Sequence, residues 1–214
     1  MAVDCSAAVT HIVGSLSTDP PSSSSSSAVL SHRTMKYLKG LMSGHWIVGA
    51  AWMAACVAQR RLLPEEPFEV TGAGPPGPGP SGLSTKRKAP ARARKDVSAH
   101  GRSRLFDRYV VTLQGNFPAP LPTKADLSEL LVSGMAIVVG SIKEMLSDRH
   151  NGLNRVVIYG DGTPEQVAGV AAAVGGMVPV VEYKWVVDSV GSYTVLSPHA
   201  LLHAALSSFS SSSS

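Results

Sequence analysis

The stretch SHRTMKYL sets two cations three residues apart, Arg33 and Lys36, at the start of a segment with helical periodicity. Residues at that spacing project from one face of a helix. At a helix N-terminus the free backbone N–H groups and the helix dipole add to such charges, so the pair suits a phosphate or another anion. On residue types alone, a solvated cationic face of an amphipathic helix is the simpler account of the same pattern.

No other chemistry is strongly encoded. The chain has no G-x-x-x-x-G-K-[ST] phosphate loop, no G-x-S-x-G elbow and no H-E-x-x-H pair. The glycines of YGDG (Tyr159 to Gly162) lack dinucleotide-loop spacing and read as a turn. His199 and His203 stand four apart but have no third ligand nearby. The two cysteines, Cys5 and Cys56, have neither zinc-site nor disulfide-framework spacing. Trp52 and Trp185 each lie in an apolar helix after a buried strand, which makes them core residues. The residues therefore suggest no catalytic group, no cofactor and no metal site.

Charge is unevenly placed. Of 19 Lys and Arg, eight fall between 71 and 104 against the single acid Asp96, so the remainder carries more acids than bases. The cluster Lys86, Arg87, Lys88, Arg92, Arg94 and Lys95 reads as a nuclear-localisation signal, or as a flexible arm for weak nucleic-acid contact. No apolar run reaches the ~18 residues that a membrane-spanning helix needs, so no membrane partner is expected.

The elements that must position these groups are organised by a repeat. IVGAAWMAACV (Ile47 to Val57) and VVEYKWVVDSV (Val180 to Val190) are related by an offset of 133 residues that aligns Trp52 with Trp185. Two copies of one module follow. The first, over 1–70, contains a short β run at AAVTHIVGSL and a helix at SHRTMKYLKGLMSG with Ser31 as its N-cap. A strand at HWIVG and a helix at AAWMAACVAQRR complete it. Residues 71–104, rich in Gly, Pro and cations, read as a disordered linker, and the Ser tracts at 20–27 and 207–214 as low-complexity loop and tail. The second module, over 105–206, alternates strands and helices: RYVVTLQG, TKADLSELLVSG, MAIVVG, RVVIYG, TPEQVAGVAAAVGG, VPVV and EYKWVVDSV. Such alternation implies an α/β fold with a small parallel sheet flanked by helices.

THIV, RTMKYLKGLMSGHWIV, EEPFEVTG, RLFDRYVVTLQGNF and VVEYKWVVDSV together resemble the tandem BRCT repeats found at the C-termini of breast-cancer-susceptibility proteins and their RING-domain partners. The resemblance implies a four-stranded parallel sheet with three helices per repeat. It also implies a non-enzymatic, cofactor-free reader of phosphoserine-containing nuclear proteins in the DNA-damage response, with nuclear localisation. Lys36 corresponds to the family's phosphate-binding lysine and Arg33 to an arginine that contacts the peptide main chain, with Thr34 in the same turn. Leu38, Leu121 and Val187 correspond to the walls of an apolar specificity pocket. Tyr183 and Lys184 depart from the family's Arg and Glu. The family's first strand, Ser/Thr-Gly loop and first helix precede THIV, so roughly forty family residues are expected to be missing from the first repeat, and the RING domain that would carry ligase activity is likewise expected to be missing from this sequence.

Overall fold

The computed structural model describes residues 9–16, 28–74 and 87–198. Lys86, the Gly/Pro-rich part of the basic segment, both Ser tracts, His199 and His203 lie outside the described residues. The chain divides into two compact units, one of 1–105 with Asp188–Thr194, the other of 106–187 with 195–214. No helix among the described residues is long and apolar enough to cross a membrane.

In the first unit, strand β1 (His11–Gly14) pairs in parallel with β3 (Trp46–Gly49), and β2 (Val29–Leu30) with β4 (Gly72–Ala73). Helix α1 (Met35–Met42) joins β2 to β3, and α2 (Ala50–Gln59) leaves β3 directly. The periodicity of α1 buries Tyr37, Leu38, Leu41 and Met42 beside Ile12, Ile47 and Val48 in the core. The cap of α1 is Thr34, whose hydroxyl accepts the Tyr37 N–H, and not Ser31 as the sequence suggested. Ser31 follows β2, where its N–H and hydroxyl both donate to the Ser15 carbonyl. Gly44, at φ +67°, turns the chain out of α1 where a Cβ would come within 2.6 Å of Val97.

Val97 lies on a helix that the composition concealed. Residues 89–100 form α3 (Ala89–His100), with Ala89, Pro90 and Ala93 buried. The expectation of a disordered linker over 71–104 therefore fails for residues 87–104, which belong to the first unit. Proline is tolerated in the first turn of a helix, where its missing N–H would have no intrahelical partner, so Pro90 does not oppose α3.

The second unit is a four-stranded parallel sheet in the order β6-β5-β7-β8. Its elements are β5 (Tyr109–Gln114), α4 (Lys124–Ser133), β6 (Ile137–Val139), the short α5 (Ile142–Met145), β7 (Asn154–Tyr159), α6 (Pro164–Ala173), β8 (Val180–Glu182) and α7 (Lys184–Gly191). Val110, Val157 and Val180 join Met145, Val174 and Val178 in one cluster. Their strand neighbours Val111, Val156 and Ile158 point to the other face and are equally buried. Helices α4 and α6 start at Thr123 and Thr163, and Thr163 forms a full capping box with Gln166. The last helix belongs to both units by chain membership, since Asp188–Thr194 cluster with the first.

Candidate anion-binding site

The cap at Thr34 fixes what surrounds Lys36. Because Thr34 Oγ1 accepts from Tyr37 N, its own hydroxyl proton remains free to donate outward. Lys36 occupies the second helical position and is exposed. Both border an open cavity of about 230 Å³, whose wall also contains Gly14, Ser15, Ser31 and His32. The cavity thus offers an ammonium group, the hydroxyls of Ser15 and Thr34, an imidazole and the first turn of a helix, a donor set suited to a phosphate-sized anion.

Arg33 does not line this cavity. Its Nη2 lies 2.7 Å from Asp188 Oδ1, with both side chains largely buried. Gly191 makes room for that arrangement, because a Cβ there would sit 2.7 Å from Arg33 Cδ. Arg33 Nη1 is buried without a hydrogen-bond partner. Asp188 was missed from sequence, although it is the one acid between Trp185 and Val190 and should have signalled a cation partner.

Of the apolar positions, Leu38 is 2% exposed and belongs to the core of the first unit, which removes it from any accessible wall. Leu121 and Val187 are half-buried residues of the second unit and do not line the cavity beside Lys36. The basic cluster is also altered by the fold. Arg94 donates through Nε and Nη2 to the two carboxylate oxygens of Glu69, at 3.2 and 3.0 Å. Its guanidinium carbon stands 3.5 Å from the centre of the Trp46 ring. Arg87 and Arg92 both donate to Thr194 Oγ1. These three arginines are part of the folded unit and are not a free cationic arm, whereas Lys88 and Lys95 are exposed.

A second polar network closes the end of α3. Asp96 accepts from Tyr193 Oη (2.6 Å) and from the Arg104 N–H (2.9 Å), and lies 3.0 Å from His100 Nδ1. Burial raises the carboxyl's pKa, but these hydrogen bonds outweigh it and hold Asp96 below the ordinary value. Burial and the Asp96 contact push the Tyr193 phenol well above its ordinary range. Among the described residues, no group of three His, Cys, Asp or Glu could hold a metal ion.

No protein-family model matches the chain. It is 47% identical over 38 residues to the BRCA1-associated RING domain protein 1 of Arabidopsis thaliana, a match covering 18% of this chain and 5% of that protein. It is 45% identical over 40 residues to the breast cancer type 1 susceptibility protein homolog of Mus musculus, covering 19% and 2%. The chain thus matches only a small fraction of these relatives' length. Among solved structures, the BRCT5-BRCT6 domains of S. pombe Brc1 align over 78% of this chain and 77% of theirs, with a TM-score of 0.55 and 21% identity. A structure of Rtt107p in complex with phosphorylated histone H2A aligns over 78% and 70%, with a TM-score of 0.50 and 13% identity. The chain has the fold of tandem BRCT domains and is similar, over short stretches, to the breast-cancer-susceptibility proteins and their RING-domain partner.

Proposed function

We propose that this chain is a phosphoprotein-binding module that takes phosphoserine at the cavity beside Lys36. The observation that carries the proposal is the meeting of Lys36, the Thr34 hydroxyl and the start of α1 at one open cavity. Arg33, three residues before Lys36, is held in place by Asp188. The histone complex of the Rtt107p neighbour supports phosphoprotein partners. The similarity to breast-cancer-susceptibility proteins supports a place in DNA repair and in the nucleus. Of the contacts expected from sequence, we retain Arg33, Thr34 and Lys36, all of the first unit.

The test is fluorescence anisotropy with matched phosphorylated and unphosphorylated peptides. A hydrogen bond to a charged group is worth about 1.5–3 kcal/mol, so Lys36→Gln should lower affinity for the phosphorylated peptide about tenfold or more and leave the unphosphorylated one unchanged. An equal response of both peptides returns residues 33–36 to a solvated helix face. Nucleic-acid contact through the basic segment is the weaker reading, because Arg87, Arg92 and Arg94 already have protein partners. A salt slope that persists after Lys88 and Lys95 are replaced by Gln would count against it altogether.

A further inference from the structure

Two arginines of the first unit converge on one neutral oxygen. Arg87 Nη1 and Arg92 Nη1 donate to Thr194 Oγ1 at 2.7 and 2.8 Å, so these two cationic nitrogens lie within 5.5 Å of each other. Like charges at that separation repel, and a hydroxyl oxygen has no net charge to offset them. A carboxylate would. Among the described residues neither arginine makes an ion pair. The one acid of α3, Asp96, is already bonded to Tyr193 Oη, the Arg104 N–H and His100. The adjoining chain supplies no acidic side chain either: residues 75–86, which lead into Arg87, and 195–214, which follow Thr194, contain no Asp or Glu.

The helix sharpens this imbalance. Arg87 and Lys88 precede Ala89, the first residue of α3, Arg92 follows within its first turn, and no acid stands in that turn. The start of a helix is the positive end of its dipole, where anions are favoured and cations are not. The point of convergence is fixed from behind. The Thr194 N–H donates to the Ser189 carbonyl, and its hydroxyl donates to the Tyr193 carbonyl at 2.8 Å. Tyr193 is buried and tied through its phenol to Asp96 and Ser103. Thr194 is half-buried and both arginines are exposed, so the two cations stand over a braced floor and remain accessible from solvent.

We infer that Arg87, Arg92 and Thr194 form a second anion-binding site, which takes a phosphate monoester or inorganic phosphate. A terminal phosphate carries three acceptor oxygens and nearly two charges, so two guanidinium forks can close on it together. The Thr194 hydroxyl, which rotates freely about its C–O bond, can turn from the Tyr193 carbonyl and donate to the same group. The phosphodiesters of a nucleic acid are singly charged and are tracked by cations distributed along a groove. Here the two arginines meet at one point and Arg94 is tied to Glu69, which favours the terminal phosphate. None of the three residues borders the cavity beside Lys36, so this inference does not rest on the reading of that cavity.

The experiment uses the full chain carrying Lys36→Gln, labelled with nitrogen-15, and follows the arginine Nε–H resonances during titration with inorganic phosphate and with N-acetyl-phosphoserine amide. Saturable shifts are expected at Arg87 and Arg92. The further double change Arg87→Gln, Arg92→Gln should weaken binding at least about tenfold, and Thr194→Val by about threefold to tenfold, with circular dichroism unchanged. Tighter binding of the phosphoserine compound assigns the site to a phosphorylated side chain and equal binding assigns it to the free anion; both support the site. The inference is overturned if Lys36→Gln alone abolishes all phosphate binding, or if the double change leaves the affinity as it was. It is also overturned if octathymidylate without terminal phosphates binds as tightly as the monoester, since a nucleic-acid backbone would then be the ligand.

Discussion

Trp52 and Trp185 occupy the same position of a repeated helix and make the same bond. Each indole N–H donates to a main-chain carbonyl eleven residues on, that of Leu63 at 3.0 Å and that of Leu196 at 2.8 Å. Their surroundings diverge. Trp185 is fully buried with Phe106 and Tyr109 around it, while Trp52 is stacked on His11 at 4.7 Å and retains 7% exposure. Local sequence thus dictates the hydrogen bond, and the packing around the ring dictates how much a residue at that position stabilises.

The sharpest test of that contrast is to truncate both rings. Trp185→Ala should cost about 3–5 kcal/mol, the usual range for a fully enclosed aromatic, and unfold the second unit by circular dichroism. Trp52→Ala should cost less, about 2–3 kcal/mol, because part of its surface already faces solvent. Equal losses in denaturant titrations would erase the distinction between the two environments.

A smaller effect is expected at Arg94, which ties α3 to Glu69 and to the Trp46 ring. Arg94→Ala removes a two-bond carboxylate contact and a stacked ring and leaves Glu69 unpaired. It should destabilise the first unit by about 2 kcal/mol in thermal melts. Arg94→Lys should restore only a minor part, since an ammonium cannot make the paired bonds or stack as a plane. Full rescue by lysine would reduce the contact to simple charge.

The smallest effect is expected in acid. Asp96 has a folded pKa below its ordinary value, so its contribution is present above that ordinary value, about 4, and is lost as the pH falls through the lower folded value. Asp96→Asn should therefore melt below the parent chain at neutral pH, with the gap narrowing below about pH 4. A gap independent of pH would mean that packing around Tyr193, and not ionisation, carries the effect.

The elements legible in sequence were those with local signals. Alternating β-branched runs and the threonines at 123 and 163 defined the second unit's strands and helix starts, because each cap or period is complete within a few residues. The N-cap of α1 was misread because the pairing of Val29–Leu30 with Gly72–Ala73 is a long-range event that local spacing cannot reveal. The helix α3 was hidden by averaging: the Gly/Pro stretch after Thr71 set the composition of a window that also contains KAPARARKDVSAH, whose alanines favour a helix. At the site, Lys36 and Thr34 were visible as residue types in a helical pattern. The pinning of Arg33 was not, because its acid lies 155 residues away, at Asp188.

Helix α3 also changes how the chain meets proteases. Arg92, Arg94 and Lys95 are cleavage points for a trypsin-like enzyme, but such an enzyme must thread several residues of extended backbone through its cleft. The α3 backbone is coiled, and Ala93 and the Arg94 guanidinium are fastened to the rest of the unit. Nicking there requires the helix to detach first, so its rate follows the population of that opened state and not the number of basic residues on display. A segment whose composition invites digestion is thereby turned into a reporter of whether the first unit is folded.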